Sequence, residues 1–141
     1  MRHFHKIYQY YPVIVLSLLL SLTACKKKDD SAKYVKALAE LAAQYNSHCP
    51  KDEANGTQLK SVAFEDNTVI FRLGLSDQAI NMVNLDSARA SIIQNMSGKL
   101  KRYLVKGNCS LQYKYISPND SSSVTILPGE LDYAEGEATE E

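Results

Sequence analysis

A chain of 141 residues with sixteen basic and sixteen acidic side chains has room for one domain and not for two. Its formal net charge of zero offers no broad basic field, which argues against a nucleic-acid partner.

The chain opens on a processing signal, which is set apart from fold reasoning. Arg2 and Lys6 give a positive start, and Val13 to Leu22 is an apolar run broken only by Ser17 and Ser21. Ten residues of helix cover about 15 Å, half of a ~30 Å hydrocarbon core, so the run is short for a span and right for a signal. Leu22-Thr23-Ala24-Cys25 follows at once and resembles the lipobox of bacterial lipoproteins. That resemblance implies a diacylglyceryl group on the Cys25 thiol and cleavage just before it. Residues 1–24 are then a signal peptide, and residues 25–30 a lipidated tether. Two or three acyl chains hold a protein firmly where one holds it marginally. The tether Lys26-Lys27-Lys28-Asp29-Asp30 resembles sorting signals that send lipoproteins to the outer face of the outer membrane; a plain charged spacer is the alternative. The expected location is the cell envelope, lipid-anchored at the outer membrane on its surface or periplasmic face.

Asp30 or Ser31 can cap a helix whose stripe is Tyr34, Val35, Leu38, Leu41, Ala42 and Tyr45. Pro50 ends that pattern. Asn55-Gly56 marks a turn, and the runs 59–65 and 68–75 read as a hairpin about Asp66-Asn67. Val62 and Phe64 share an apolar face with Val69, Phe71, Leu73 and Leu75. One long helix is expected from about Asp86 to Val105, with a kink at Gly98 and a stop at Gly107-Asn108. The stretch 76–84 fits either a loop or an extra turn. Ser110 to Ile116 and Ser123 to Leu127 form a second hairpin about Pro118-Asn119-Asp120.

The order helix, hairpin, helix, hairpin predicts an α+β domain over residues 31–131, with two helices packed on one face of a four-stranded antiparallel sheet. Residues 132–141 belong to an acidic, self-repelling tail: from Glu130 onward there are six carboxylates and no basic residue. Cys49 and Cys109 occupy equivalent helix-to-strand junctions, and in an oxidising compartment they are expected to form a disulfide near a pseudo-twofold axis. Cys49-Pro50, Thr57-x-Leu59-x-Ser61-Val62, Cys109 and Tyr113-Lys114-Tyr115 together resemble a group of small, uncharacterised bacterial lipoproteins. The resemblance covers residues 45–127 and implies an exported α+β domain without an established catalytic residue.

No constellation of residues in the sequence matches a known catalytic or metal-binding pattern. His48 and Cys49 are adjacent in sequence and point in different directions, so they do not make a nucleophile and base. One His and two Cys in the mature chain fall short of the three or four ligands of a zinc site. Asp52-Glu53 and Glu65-Asp66 lack calcium-loop spacing, and no glycine-rich phosphate loop or nucleophile elbow occurs. Lys99, Lys101, Arg102 and Lys106 suit the negative end of a helix, or lipid headgroups. Asp30-Ser31-Ala32 and Asp86-Ser87-Ala88 resemble a short O-glycosylation motif. The function expected is non-enzymatic and cofactor-free: an anchored module that binds an envelope protein, the alternative being an inhibitor or immunity lipoprotein that blocks an enzyme or toxin.

Overall fold

A computed structural model describes residues 29–132. The expected signal peptide, Cys25 and the expected acidic tail beyond Asp132 lie outside them.

Helix α1, Ser31–Asn46, buries Tyr34, Leu38 and Ala42 at four-residue spacing. Asp30 occupies the cap position without a side-chain cap bond; the Asp29 carboxylate instead accepts from the Ser31 N–H at 3.1 Å. The helix stops at Asn46, before the proline, and the Ser47 hydroxyl donates to the Gln44 carbonyl at 2.6 Å. The Cys49–Pro50 peptide is cis. A two-residue strand β1, Lys51–Asp52, then runs beside Gln58 and Leu59. Between them Asn55 and Gly56 take φ of 61° and 73°, the left-handed region that Asn and Gly tolerate best.

Strands β2, Gln58–Glu65, and β3, Thr68–Gly74, form the expected hairpin. Asp66 and Asn67 turn it with φ of 48° and 55°, as a two-residue connection requires. A bulge between Leu59 and Ser61 puts Leu59, Val62 and Phe64 on one face opposite Leu73, Phe71 and Val69. After three helices the chain returns as β4, Ser110–Ile116, and β5, Ser121–Ile126. The rows Phe64–Val69–Leu111–Ile126 and Val62–Phe71–Tyr113–Val124 cross the sheet as continuous apolar ribs.

The sheet corrects the predicted architecture. It has five strands in the order β1-β2-β3-β4-β5 and is mixed, because β3 and β4 are parallel. Residues 75–109 provide the long crossover that parallel neighbours need. Two hairpins of identical pattern are thus joined with β2 antiparallel to β4, and their equivalent junctions fall at opposite ends of the sheet.

The crossover holds three helices in place of one. Helix α2, Asp77–Ile80, is a single turn capped by Ser76. Helix α3, Leu85–Asn95, is capped by Asn84, whose side chain accepts from the Ser87 N–H at 2.9 Å. Met96 and Ser97 then become extended, with ψ of 132° and 147°. Ser97 accepts from Leu100 N–H at 3.2 Å and starts α4, Gly98–Gly107. Gly98 is therefore the first residue of a new helix and not a kink within an old one; a serine cap outcompetes continuation there. Asn108, at φ 50° and ψ 48°, closes α4.

Helices α1 and α4 lie antiparallel over the sheet. The Tyr34 and Tyr103 rings meet at 5.7 Å near the start of α1 and the end of α4. A Cβ on Gly107 would stand 3.3 Å from Tyr34 Cβ, so glycine permits this approach. Leu38, Leu104, Val69, Leu111 and Ile126 fill the core between helices and sheet.

Candidate functional site

The two helices do not roof the whole sheet. Where α1 ends and α3 gives way to α4, a groove of about 960 Å³ remains open. Its floor is strand-borne: Leu59 from β2, Phe71 and Leu73 from β3, Leu111 and Tyr113 from β4. Tyr45 and His48 form one wall, and Ile92, Met96 and Leu100 the other. Polar groups stand at the rim, namely Lys51, Glu53, Ser91, Asn95 and Ser97.

Aromatic rings order the floor. Phe71 and Tyr113 stack at 4.9 Å with planes 9° apart, and Tyr45 leans over Phe71 at 5.9 Å and 55°. Such pairs hold their geometry better than aliphatic contacts do, contributing about 0.5–1.5 kcal/mol beyond area. Tyr45 nevertheless keeps 45% of its surface exposed. Burial raises the Tyr113 phenol above its ordinary range, with smaller contributions from Tyr115 and Tyr45. Tyr113 is thus a neutral hydroxyl at physiological pH, and the Lys51–Glu53 pair at 3.5 Å leaves little charge at that part of the rim. The floor is thus apolar and aromatic, and the rim polar, with the Lys51–Glu53 pair and His48 on it.

Of the candidate chemical residues singled out from sequence, His48 and Glu53 line the groove, and Asp52, Glu65 and Asp66 do not. His48 is exposed on its rim, with its N–H on the Tyr45 carbonyl at 3.2 Å. Asp52 accepts from Gln58 at 3.0 Å, and Glu53 pairs with Lys51. Glu65 pairs with Arg72 at 3.4 Å, while Asp66 serves the hairpin turn. Asp30-Ser31-Ala32 and Asp86-Ser87-Ala88 form the first turns of α1 and α3. Among the described residues, no three His, Cys, Asp or Glu side chains are placed to share a metal. Cys25 lies outside the described residues.

The expected bridge between Cys49 and Cys109 is corrected: both thiols are free. Cys49 donates to the Tyr45 carbonyl at 3.5 Å, at the C-terminal end of α1. Cys109 donates to the Gly107 carbonyl at 3.3 Å, beside the first turn of α1. The helix rises about 16 Å between Tyr34 and Tyr45, whereas a disulfide needs Cα atoms within about 7 Å. The parallel β3–β4 pairing is what moves the two junctions apart. Burial raises the Cys109 thiol above its usual range, so it stays protonated and inert.

Sequence reasoning missed the groove because its floor is assembled from three strands. One sign was available: Tyr45 ends the α1 stripe just where the helix runs out, so no residue of α1 follows to cover its ring. A shallower hollow of about 430 Å³ beside Gly74, between Asp52 and Pro118, has polar and apolar lining in about equal share.

The sequence matches no family model and no curated protein. Solved structures share the fold. A Pseudomonas aeruginosa protein inferred to be secreted superposes with a TM-score of 0.62 at 17% identity, over 74% of this chain and 96% of its own. A pilotin of the Vibrio vulnificus type 2 secretion system, EpsS, superposes at 0.59 and 7% identity, over 74% of this chain and 97% of its own. At these identities the likeness is one of fold.

Proposed function

We propose that this chain is a lipid-anchored envelope protein that works by binding and not by catalysis, taking an apolar segment of an envelope protein into the groove between α1 and the α3–α4 junction. The carrying observation is the unroofed aromatic floor, Phe71 on Tyr113 with Tyr45 at its edge. A monomer gains by burying such rings, and a groove of about 960 Å³ left open beside a dense core is a place for a partner's side chains. The pilotin likeness supports a secretion-system component as that partner. The lipobox supports Cys25 as the anchor, at the outer membrane, with no cofactor required.

Site-specific photocrosslinking in the native envelope tests the binding. A benzophenone amino acid at Tyr45 should yield an adduct with a membrane or secretion protein, and Met96→Lys in the wall should abolish it. A probe at Lys114, on the opposite sheet face, should yield none. Equal labelling from both positions overturns the groove assignment. Acylation is read separately: mass spectrometry of the N-terminal peptide should find a lipidated Cys25, and an unmodified chain starting at Met1 overturns the anchor.

A further inference from the structure

Strand β5 ends the sheet, and among the described residues no strand lies beyond it. Ser110 donates its N–H to the Asn67 carbonyl, and the Ile116 carbonyl accepts from Leu75, so even-numbered residues of β4 turn their backbone groups toward β3. Leu111, Tyr113 and Tyr115 therefore bond their partners Ile126, Val124 and Ser122. Ser121, Ser123, Thr125 and, just past the strand, Leu127 point their N–H and C=O outward. Carboxylates close both ends of this edge: Asp120 accepts from the Ser121 N–H and Glu130 from the Leu127 N–H, each at 2.7 Å. Between them the outward backbone groups of Ser123 and Thr125 have no partner among the described residues, and Ser123 is exposed.

The opposite edge is guarded. Strand β1 is two charged residues long, and beyond it the Asn46 side chain accepts from the Val62 N–H at 3.0 Å. Free edges are usually blunted by charge, proline or a bulge. Residues 121–127 hold no charge and no proline, and β5 meets β4 in unbroken register. Apolar surface also gathers here. Leu127 stays 54% exposed, and Leu85, the first residue of α3, is exposed as well. Helix α3 packs on β5 yet none of its residues is buried. Arg89, one turn beyond Leu85 on the same flank, reaches Glu130, which in turn holds the Leu127 N–H. Leu85 and Leu127 thus border one edge.

We propose that two copies of this chain pair through β5, antiparallel about a twofold axis at Val124, with Ser123 of each copy opposite Thr125 of the other. Each such pair exchanges two backbone bonds, so the joint uses all the groups that Ser123 and Thr125 leave free. A longer foreign strand would find the Ser121 and Leu127 N–H groups already taken, whereas the twofold pair ends between them. Because the strand is uncharged, self-pairing sets no like charges opposite each other, and the Ser123 and Thr125 hydroxyls meet on the face away from the helices. Leu85 and Leu127 of both copies flank the joint. The pairing rests on this edge alone and does not depend on what occupies the groove.

Sedimentation equilibrium of the chain in density-matched detergent tests it. The parent should form a dimer, and nothing larger, as its concentration rises. Thr125→Pro removes an N–H that β4 does not use, so it should leave the monomer folded while self-association weakens about tenfold or more. Ser123→Lys, at an exposed side chain, sets a cation of each copy near the axis and should act the same way without touching the backbone. A parent that is monomeric at every concentration, or a dimer that both variants leave intact, overturns the pairing. Amide exchange followed by NMR reads the register. Ser123 and Thr125 should slow about tenfold in the dimer, whereas Ser121 and Leu127, already bonded within each copy, should not change. Slowing at all four, or at none, overturns it.

Discussion

Phe71 on β3 and Tyr113 on β4 are cross-strand partners in the parallel pair, and their rings stack at 4.9 Å with planes 9° apart. The stack exists because β4 lies parallel to β3, which brings two aromatics from opposite sides of the helical crossover into register. It forms the floor of the open groove, so the topology makes the binding surface.

Truncation of the ring that leans over that stack should separate folding from binding. Tyr45→Ala removes a ring that is 45% exposed, and should cost less than about 1.5 kcal/mol of stability while abolishing the photocrosslink from a probe placed at Met96. Leu104→Ala, at 0% exposure, should cost about 2–5 kcal/mol. Urea melts give both numbers. Equal destabilisation by the two changes would mean that Tyr45 belongs to the core.

The thiols should behave independently. In the folded protein an aromatic disulfide reagent should titrate the half-buried Cys49 and spare Cys109, which is 0% exposed. Denaturant should release the second. Reducing agent should leave the melting temperature unchanged. A fall in melting temperature on reduction, with a bridged peptide in the digest, would restore the disulfide.

Gly107 sets the distance between α1 and α4. Gly107→Ala places a Cβ 3.3 Å from Tyr34 Cβ and 3.4 Å from the Cys109 sulfur, tighter than ordinary packing. Overpacking of this kind costs about 1–3 kcal/mol, against the gain alanine usually brings to a helix. Gly129→Ala, with open space around it, is the control and should change stability little. A stabilised G107A protein would show that the helices part freely.

Asp77 should give the domain an acid-sensitive latch. Bonds from Ser117 and from the Asn119 side chain and N–H hold its carboxyl below the ordinary carboxylate range. The folded value is the lower one, so the latch contributes fully above about pH 4 and is lost as pH falls through the folded value. Asp77→Asn should therefore be less stable than the parent at neutral pH, and the difference should shrink in acid. Urea midpoints at pH 7 and pH 3 measure it, and a gap independent of pH would remove the latch.

Much was legible before folding, because the relevant signals are local. Helix α1, the Asp66-Asn67 hairpin, the β4–β5 hairpin and the α+β class follow from periodicity and turn chemistry within a few residues. Ser97 also carried its message locally, but a helical stripe that continues through Gly98 masks a cap in its middle. Strand β1 was hidden because two residues have no periodicity.

The sequence by itself determined which segments form helices and hairpins and which faces they bury, since side-chain period and turn residues act over one element. Only the tertiary structure decided that β3 meets β4 in parallel, because either edge of each hairpin presents similar backbone donors and acceptors. The length of the crossover and the packing of Tyr34, Gly107 and Leu104 break that tie. From that single choice follow the separation of Cys49 from Cys109 and the Phe71–Tyr113 floor of the groove.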